Sequence, residues 1–124
     1  MGSDVKPGNI LFDHRGHLVL TDFGCCARLD PATNTVKNVD VPVGTVDYIA
    51  PEVLLAMDAS HTSGKGTYGP ECDWWSAAIV AYECLCGDPP FYGDSIAQTY
   101  ARILAHNVCS LFPFFGIGNR VRES

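Results

Sequence analysis

The chain has 124 residues, 47% hydrophobic and 18% charged, which is the composition of an ordinary globular protein and enough length for one domain with a real core. A formal net charge of -6 and a scattering of only eight Lys and Arg residues exclude a nucleic-acid partner, which calls for clustered basic side chains. Six cysteines without a CxxC pair, and no leading secretory segment, read as reduced thiols of a cytoplasmic protein, packed inside as small hydrophobes.

The first stretch, MGSDVKPGNILFDHRGHLVLTDFG, holds two short apolar runs, Ile10–Phe12 and Leu18–Leu20. Between them Asp13-His14-Arg15-Gly16 is a turn sequence in which Gly16 can take a positive φ, so the two runs are expected to pair as a β-hairpin. A hairpin brings the residue before its first strand beside the residue after its second, which makes Asn9 and Asp22 neighbours at one mouth. One amide oxygen and one carboxylate suit Mg²⁺, which fills its other positions with water and substrate phosphates. Asp4 can accept the proton of an attacking hydroxyl, and Lys6 can offset charge on a transferring phosphoryl group. The plain alternatives are that Asp4 and Asn9 cap turns, that Lys6 is solvated and that Asp22 is a turn residue before Gly24.

From 22 to 43 the sequence has no sustained period and carries Pro31, Asn34 and Pro42, the pattern of a long surface loop. Residues 51–57 predict a short helix with proline in its first turn, and 58–70 a Gly/Ser-rich insert. Asp73 is placed to cap an apolar helix over 74–86, which Gly87 and Pro89-Pro90 stop. That helix contains Glu83 and is too short to cross a bilayer, so it reads as a buried helix with Trp74 and Trp75 in the core, and no membrane partner is expected. Residues 95–105 form a third, amphipathic helix with Ile96, Tyr100, Ile103 and Leu104 near helical spacing. The histidines His14, His17, His61 and His106 stand singly in polar surroundings or near a helix end and receive no catalytic role.

DVKPGN resembles the catalytic loop of protein kinases, TDFG resembles their metal-binding motif, and GTVDYIAPE the end of their activation segment. DWWSAAIVAYECLCGDPPF resembles the family's central helix and the loop after it. The resemblance spans 4–113 and implies an α+β, protein-kinase-like fold: a mainly helical C-terminal lobe with a β-hairpin at the catalytic loop, and no N-terminal lobe. It implies a partial kinase domain over 1–113 and an unrelated tail over 114–124. Lys6 two residues after Asp4, and Thr45 seven before Glu52, resemble serine/threonine kinases. The implied reaction transfers phosphate from ATP to a protein Ser or Thr, with Asp4, Lys6 and Thr45 catalytic, Thr45 bridging the other two. Lys6, Asn9 and Asp22 would bind the nucleotide, the last two through Mg²⁺.

The wording GTVDYIAPEVL and KGTYGPECDWWS is similar to the AGC branch that holds the myotonic-dystrophy, Rho-associated and citron Rho-interacting kinases, and Pro42 leans towards citron. Rho-pathway regulators acting through regions outside this sequence are implied with it. The chain contains no glycine-rich phosphate loop and no V-A-I-K-like strand lysine, so by itself it is expected to be inactive, the alternative role being a non-catalytic binding or regulatory fragment.

Overall fold

A computed structural model of the chain describes residues 4–36, 45–62 and 66–106. The expected hairpin is present: β1 (Ile10–Phe12) pairs antiparallel with β2 (Leu18–Leu20), Ile10 opposite Leu20 and Phe12 opposite Leu18. Its turn works as the sequence suggests, with Gly16 at φ 83° and one Asp13 carboxylate oxygen accepting from the backbone N–H groups of Arg15 and His17. Ile10 and Leu20 lean on the core, whereas Leu11, Phe12, Leu18 and Val19 are exposed.

The loop after β2 has no helix or ladder among its described residues until Val36, which forms an isolated antiparallel bridge with Tyr68 and is buried with it. The stretch 37–44, with Pro42, lies outside the described residues, as do 107–124 and therefore the boundary expected at 113.

α1 (Pro51–Thr62) starts at the expected proline but runs five residues beyond 57. Ala56, Met57 and Ala59 favour helix, and the first strong breaker after them is Gly64. α2 (Glu71–Cys86) begins before Asp73, which is therefore not its cap. The N-cap is Pro70, and Glu71 and Asp73 both lie in the first turn, where negative charge faces the positive end of the helix dipole. The C-terminus is as expected: Gly87, at φ 95°, donates its N–H to the Glu83 carbonyl at 2.7 Å.

α2 buries one face rather than its whole circumference. Cys72, Ser76, Ile79 and Val80 are inside at i, i+4, i+7 and i+8. Trp74, two residues or about 200° from Cys72, falls on the opposite face and is 79% exposed, and Leu85 is 86% exposed. The expectation of a core Trp74 is thus corrected. Trp75 is partly buried and stacks on Phe91 with ring centroids 5.5 Å apart. The thiols are corrected likewise: of the described cysteines only Cys72 is buried, Cys25, Cys26 and Cys84 are exposed, and Cys86 is half-buried.

α3 (Ile96–Leu104) is capped by Ser95, whose hydroxyl accepts from the Gln98 N–H. Ile103 is wholly buried and Thr99 nearly so, while Ile96 is exposed at the helix start. The core gathers where α1, α2 and α3 meet the short 3-10 turn Val46–Tyr48, around Ile49, Ala50, Val53, Ile79 and Ile103. No helix among the described residues is long and apolar enough to cross a membrane.

Candidate catalytic site

The site begins with an alternation. Val5 is buried, and in extended backbone its neighbours Asp4 and Lys6 point the other way, side by side. The 3-10 turn Pro7–Asn9 then folds the chain back, with the Asn9 N–H on the Lys6 carbonyl at 2.9 Å. That turn carries the Asn9 side chain inward, where its Nδ2 donates to the Asp4 carbonyl at 2.8 Å. The Asn9 carbonyl accepts both the N–H (2.8 Å) and the hydroxyl (3.2 Å) of Thr21, which joins the loop to the end of β2.

Thr45 arrives from far along the sequence and sits between Asp4 and Lys6. Its backbone N–H donates to Asp4 Oδ1 at 2.8 Å, its hydroxyl donates to Asp4 Oδ2 at 3.3 Å, and that hydroxyl accepts from Lys6 Nζ at 2.9 Å. Lys6 and Asp4 also form an ion pair directly. Burial opposes ionisation of Asp4, but the hydrogen bonds from Lys6 and Thr45 together outweigh it and hold the carboxyl below the ordinary carboxylate range. The bond to Asp4 raises the Lys6 ammonium above its usual value, with smaller contributions from the negative charges of Asp22 and Cys25.

Asp22 is placed differently. It follows Thr21 with φ 58°, a left-handed conformation that Asp tolerates because its own Oδ1 accepts from the Gly24 N–H at 3.2 Å. The register places Thr21, rather than the expected Asp22, opposite Asn9; Asp22 lies one residue beyond that contact, with its charge within reach of Lys6. Asp4, Lys6, Asn9 and Thr45 are thus one hydrogen-bonded group, and Asp22 is attached to it through the strand end.

A second set of residues positions Thr45 and escaped the sequence reading. The Tyr48 hydroxyl donates to Glu83 Oε2 of α2 at 2.6 Å, and the Ser76 hydroxyl donates to the Tyr48 carbonyl at 2.7 Å. Burial and then the bond to Glu83 push the Tyr48 phenol far up, so it stays a donor. Burial and the neighbouring Glu83 charge raise the Asp47 carboxyl. The available signal was Glu83 itself: a lone carboxylate in an apolar helix must find a partner.

Among the described residues no three His, Cys, Asp or Glu side chains converge as a metal cage. The oxygen pair of Asn9 and Asp22 suits a hard cation that keeps water and phosphate ligands. Asn9 commits its amide nitrogen to Asp4, which leaves its oxygen for such an ion, and Asp22 commits one carboxylate oxygen to Gly24.

Comparison with known proteins agrees with these motifs. The family model of the protein kinase domain matches residues 1–117. The human serine/threonine-protein kinase MRCK gamma is 51% identical over 110 residues, covering 89% of this chain and 7% of that protein. The fruit-fly (Drosophila melanogaster) serine/threonine-protein kinase Genghis Khan is 50% identical over 110 residues, 89% of this chain and 6% of its own length. Human MRCK beta is 47% identical over the same span, again 89% and 6%. The MRCK proteins are myotonic-dystrophy-kinase-related members of the AGC branch, the branch whose wording the motifs resemble, and they add nothing for or against the lean towards citron. The chain spans 6 to 7% of the length of these relatives. On that match the chain belongs to the protein kinase domain family, as a serine/threonine-type sequence of its AGC branch.

Proposed function

We propose that this chain carries the phosphoryl-transfer residues of a serine/threonine protein kinase, acting on ATP and a protein Ser or Thr hydroxyl. The observation that supports it most is the Asp4–Thr45–Lys6 group, in which a carboxylate and an ammonium are fixed side by side by one threonine. Asp4 is ionised at neutral pH and oriented through both oxygens, and a carboxylate has lone pairs to spare for an incoming hydroxyl. A carboxyl held below its usual range is a weak base. Asp4 therefore aligns the substrate hydroxyl and takes its proton late, once bonding to phosphorus has made that proton acidic. Lys6, about a third exposed and kept charged by its partner, offsets negative charge on the oxygens of the transferred group.

Asn9 and Asp22 would hold Mg²⁺ with the nucleotide; the ion supplies positive charge against the phosphate oxygens. Regulation by Rho-pathway proteins through regions outside this sequence belongs to the same reading and rests on the motif resemblance. A cytoplasmic setting is proposed on the abundance of unpaired thiols.

The reading is tested by replacing the matching segment of human MRCK gamma with residues 4–106 and assaying ATP-dependent phosphorylation of a serine/threonine peptide. Phosphate transfer is expected. A chimera that folds and binds magnesium-ATP yet transfers no phosphate overturns the proposal.

A further inference from the structure

Two thiols stand immediately beyond the Asp22-Phe23-Gly24 turn, and the mechanism above uses neither. Cys25 and Cys26 are both exposed and unbridged. The Cys26 N–H donates to the Phe23 carbonyl at 3.1 Å, so the pair rides on a tight turn rather than on a helix or strand. The Cys25 side chain is also within electrostatic range of the Lys6 ammonium. An accessible thiol with a second accessible thiol adjacent to it, at hand to resolve the first oxidation product, is an arrangement found in redox-sensitive cysteines.

We propose that Cys25-Cys26 is a modification site for hydrogen peroxide, oxidised reversibly as a pair. The Cys25 thiolate attacks one peroxide oxygen, the O–O bond breaks, and Cys25 becomes a sulfenic acid while hydroxide leaves. The Cys26 sulfur then attacks the Cys25 sulfur, an S–S bond forms, and the sulfenic oxygen departs as water with the proton Cys26 gives up. The dithiol has lost two electrons and two protons, and the peroxide has become two waters. Adjacent Cα atoms are about 3.8 Å apart, below the roughly 4.4 Å at which ordinary disulfides begin. The product is therefore strained and easily reduced, and its closure must reshape the turn that holds Asp22 and Gly24.

The chain contains its own control. Cys84 is exposed and Cys86 half-buried, but they sit two residues apart on α2, about 200° round the helix, and cannot meet.

The test treats the purified chain with limiting hydrogen peroxide, alkylates what remains reduced and maps every cysteine by peptide mass spectrometry. The Cys25-Cys26 peptide should lose two hydrogens several-fold faster than Cys84 gains oxygen, and dithiothreitol should restore it. In Cys26→Ser, Cys25 should stop at a sulfenic acid that a dimedone-type nucleophile traps. Oxidation of Cys84 at the same rate as the pair, or irreversible over-oxidation of the pair with no loss of two hydrogens, overturns the proposal.

Discussion

Asp4 is tied to Thr45, 41 residues away, and Asp22 to Gly24, two residues away. Both are carboxylates flanking one small hairpin, and both belong to motifs that the kinase family shares. The first is held by contacts that exist only when the chain is folded, with Val5 buried beneath it and Thr45 anchored through Tyr48 and Ser76 to α2. The second is held by a bond its own turn can make, and the Phe23 beside it is 61% exposed. The difference separates two tasks. The group proposed to orient the attacking hydroxyl is fixed by the fold, while the arm proposed to meet the metal and nucleotide stays attached through local geometry.

The sharpest way to break this comparison is to neutralise each carboxylate in the active chimera. Asp4→Asn should lower kcat by about 10²- to 10⁴-fold with little change in magnesium-ATP affinity, because it removes the proton acceptor. Asp22→Asn should chiefly weaken magnesium-ATP binding. Steady-state kinetics with varied ATP tell the two apart, and reversed phenotypes would mean the roles are exchanged.

The anchoring of Thr45 predicts a stability difference. Tyr48→Phe removes the donor to Glu83 and should cost about 1.5 to 3 kcal/mol, the range for a hydrogen bond to a charged group. Phe23→Ala, in the locally held arm, should stay within about 0.5 kcal/mol because little of the ring is buried. Urea unfolding of both variants against the parent chain measures the contrast.

Acid should open the long-range corner. The folded Asp4 carboxyl lies below its ordinary value of 3.8, so its contribution is fully present above that value and is lost as pH falls through the folded one. Lys6 is raised above 10.5, so its contribution is present below that value and is lost only as pH rises through the folded one. Following the Thr45 amide by NMR should show a transition below pH 3.8, as the folded Asp4 carboxyl is protonated. A smaller effect is expected at Asp47, raised by burial and the Glu83 charge: Asp47→Asn should stabilise by about a few tenths of a kcal/mol after solvent screening, seen as a slightly higher urea midpoint.

What the sequence made legible follows the range of the forces involved. The hairpin, the Gly16 turn, the Ser95 cap and the Gly87 stop are local events, written in adjacent residues. The extent of α1 was misjudged because the polar Asp58 and Ser60 suggested an insert, although the helix had no breaker to end it before Gly64. The side of α2 that faces water was not legible, since Trp74 and Cys72 differ only in angle around the axis, and an apolar sequence does not say which arc is covered. The Thr45 bridge came from motif resemblance, and Tyr48, Ser76 and their link to Glu83 were missed because no local pattern joins residues 28 or 35 positions apart.

Amide hydrogen exchange at Thr45 and Gly24 in the intact chain tests the central claim most directly. The account predicts that Thr45 exchanges much more slowly than Gly24, and that Asp4→Ala, which takes away the acceptor of the Thr45 N–H, removes the protection at Thr45 while leaving Gly24 unchanged. Equal, rapid exchange at both amides in the unsubstituted chain would contradict it.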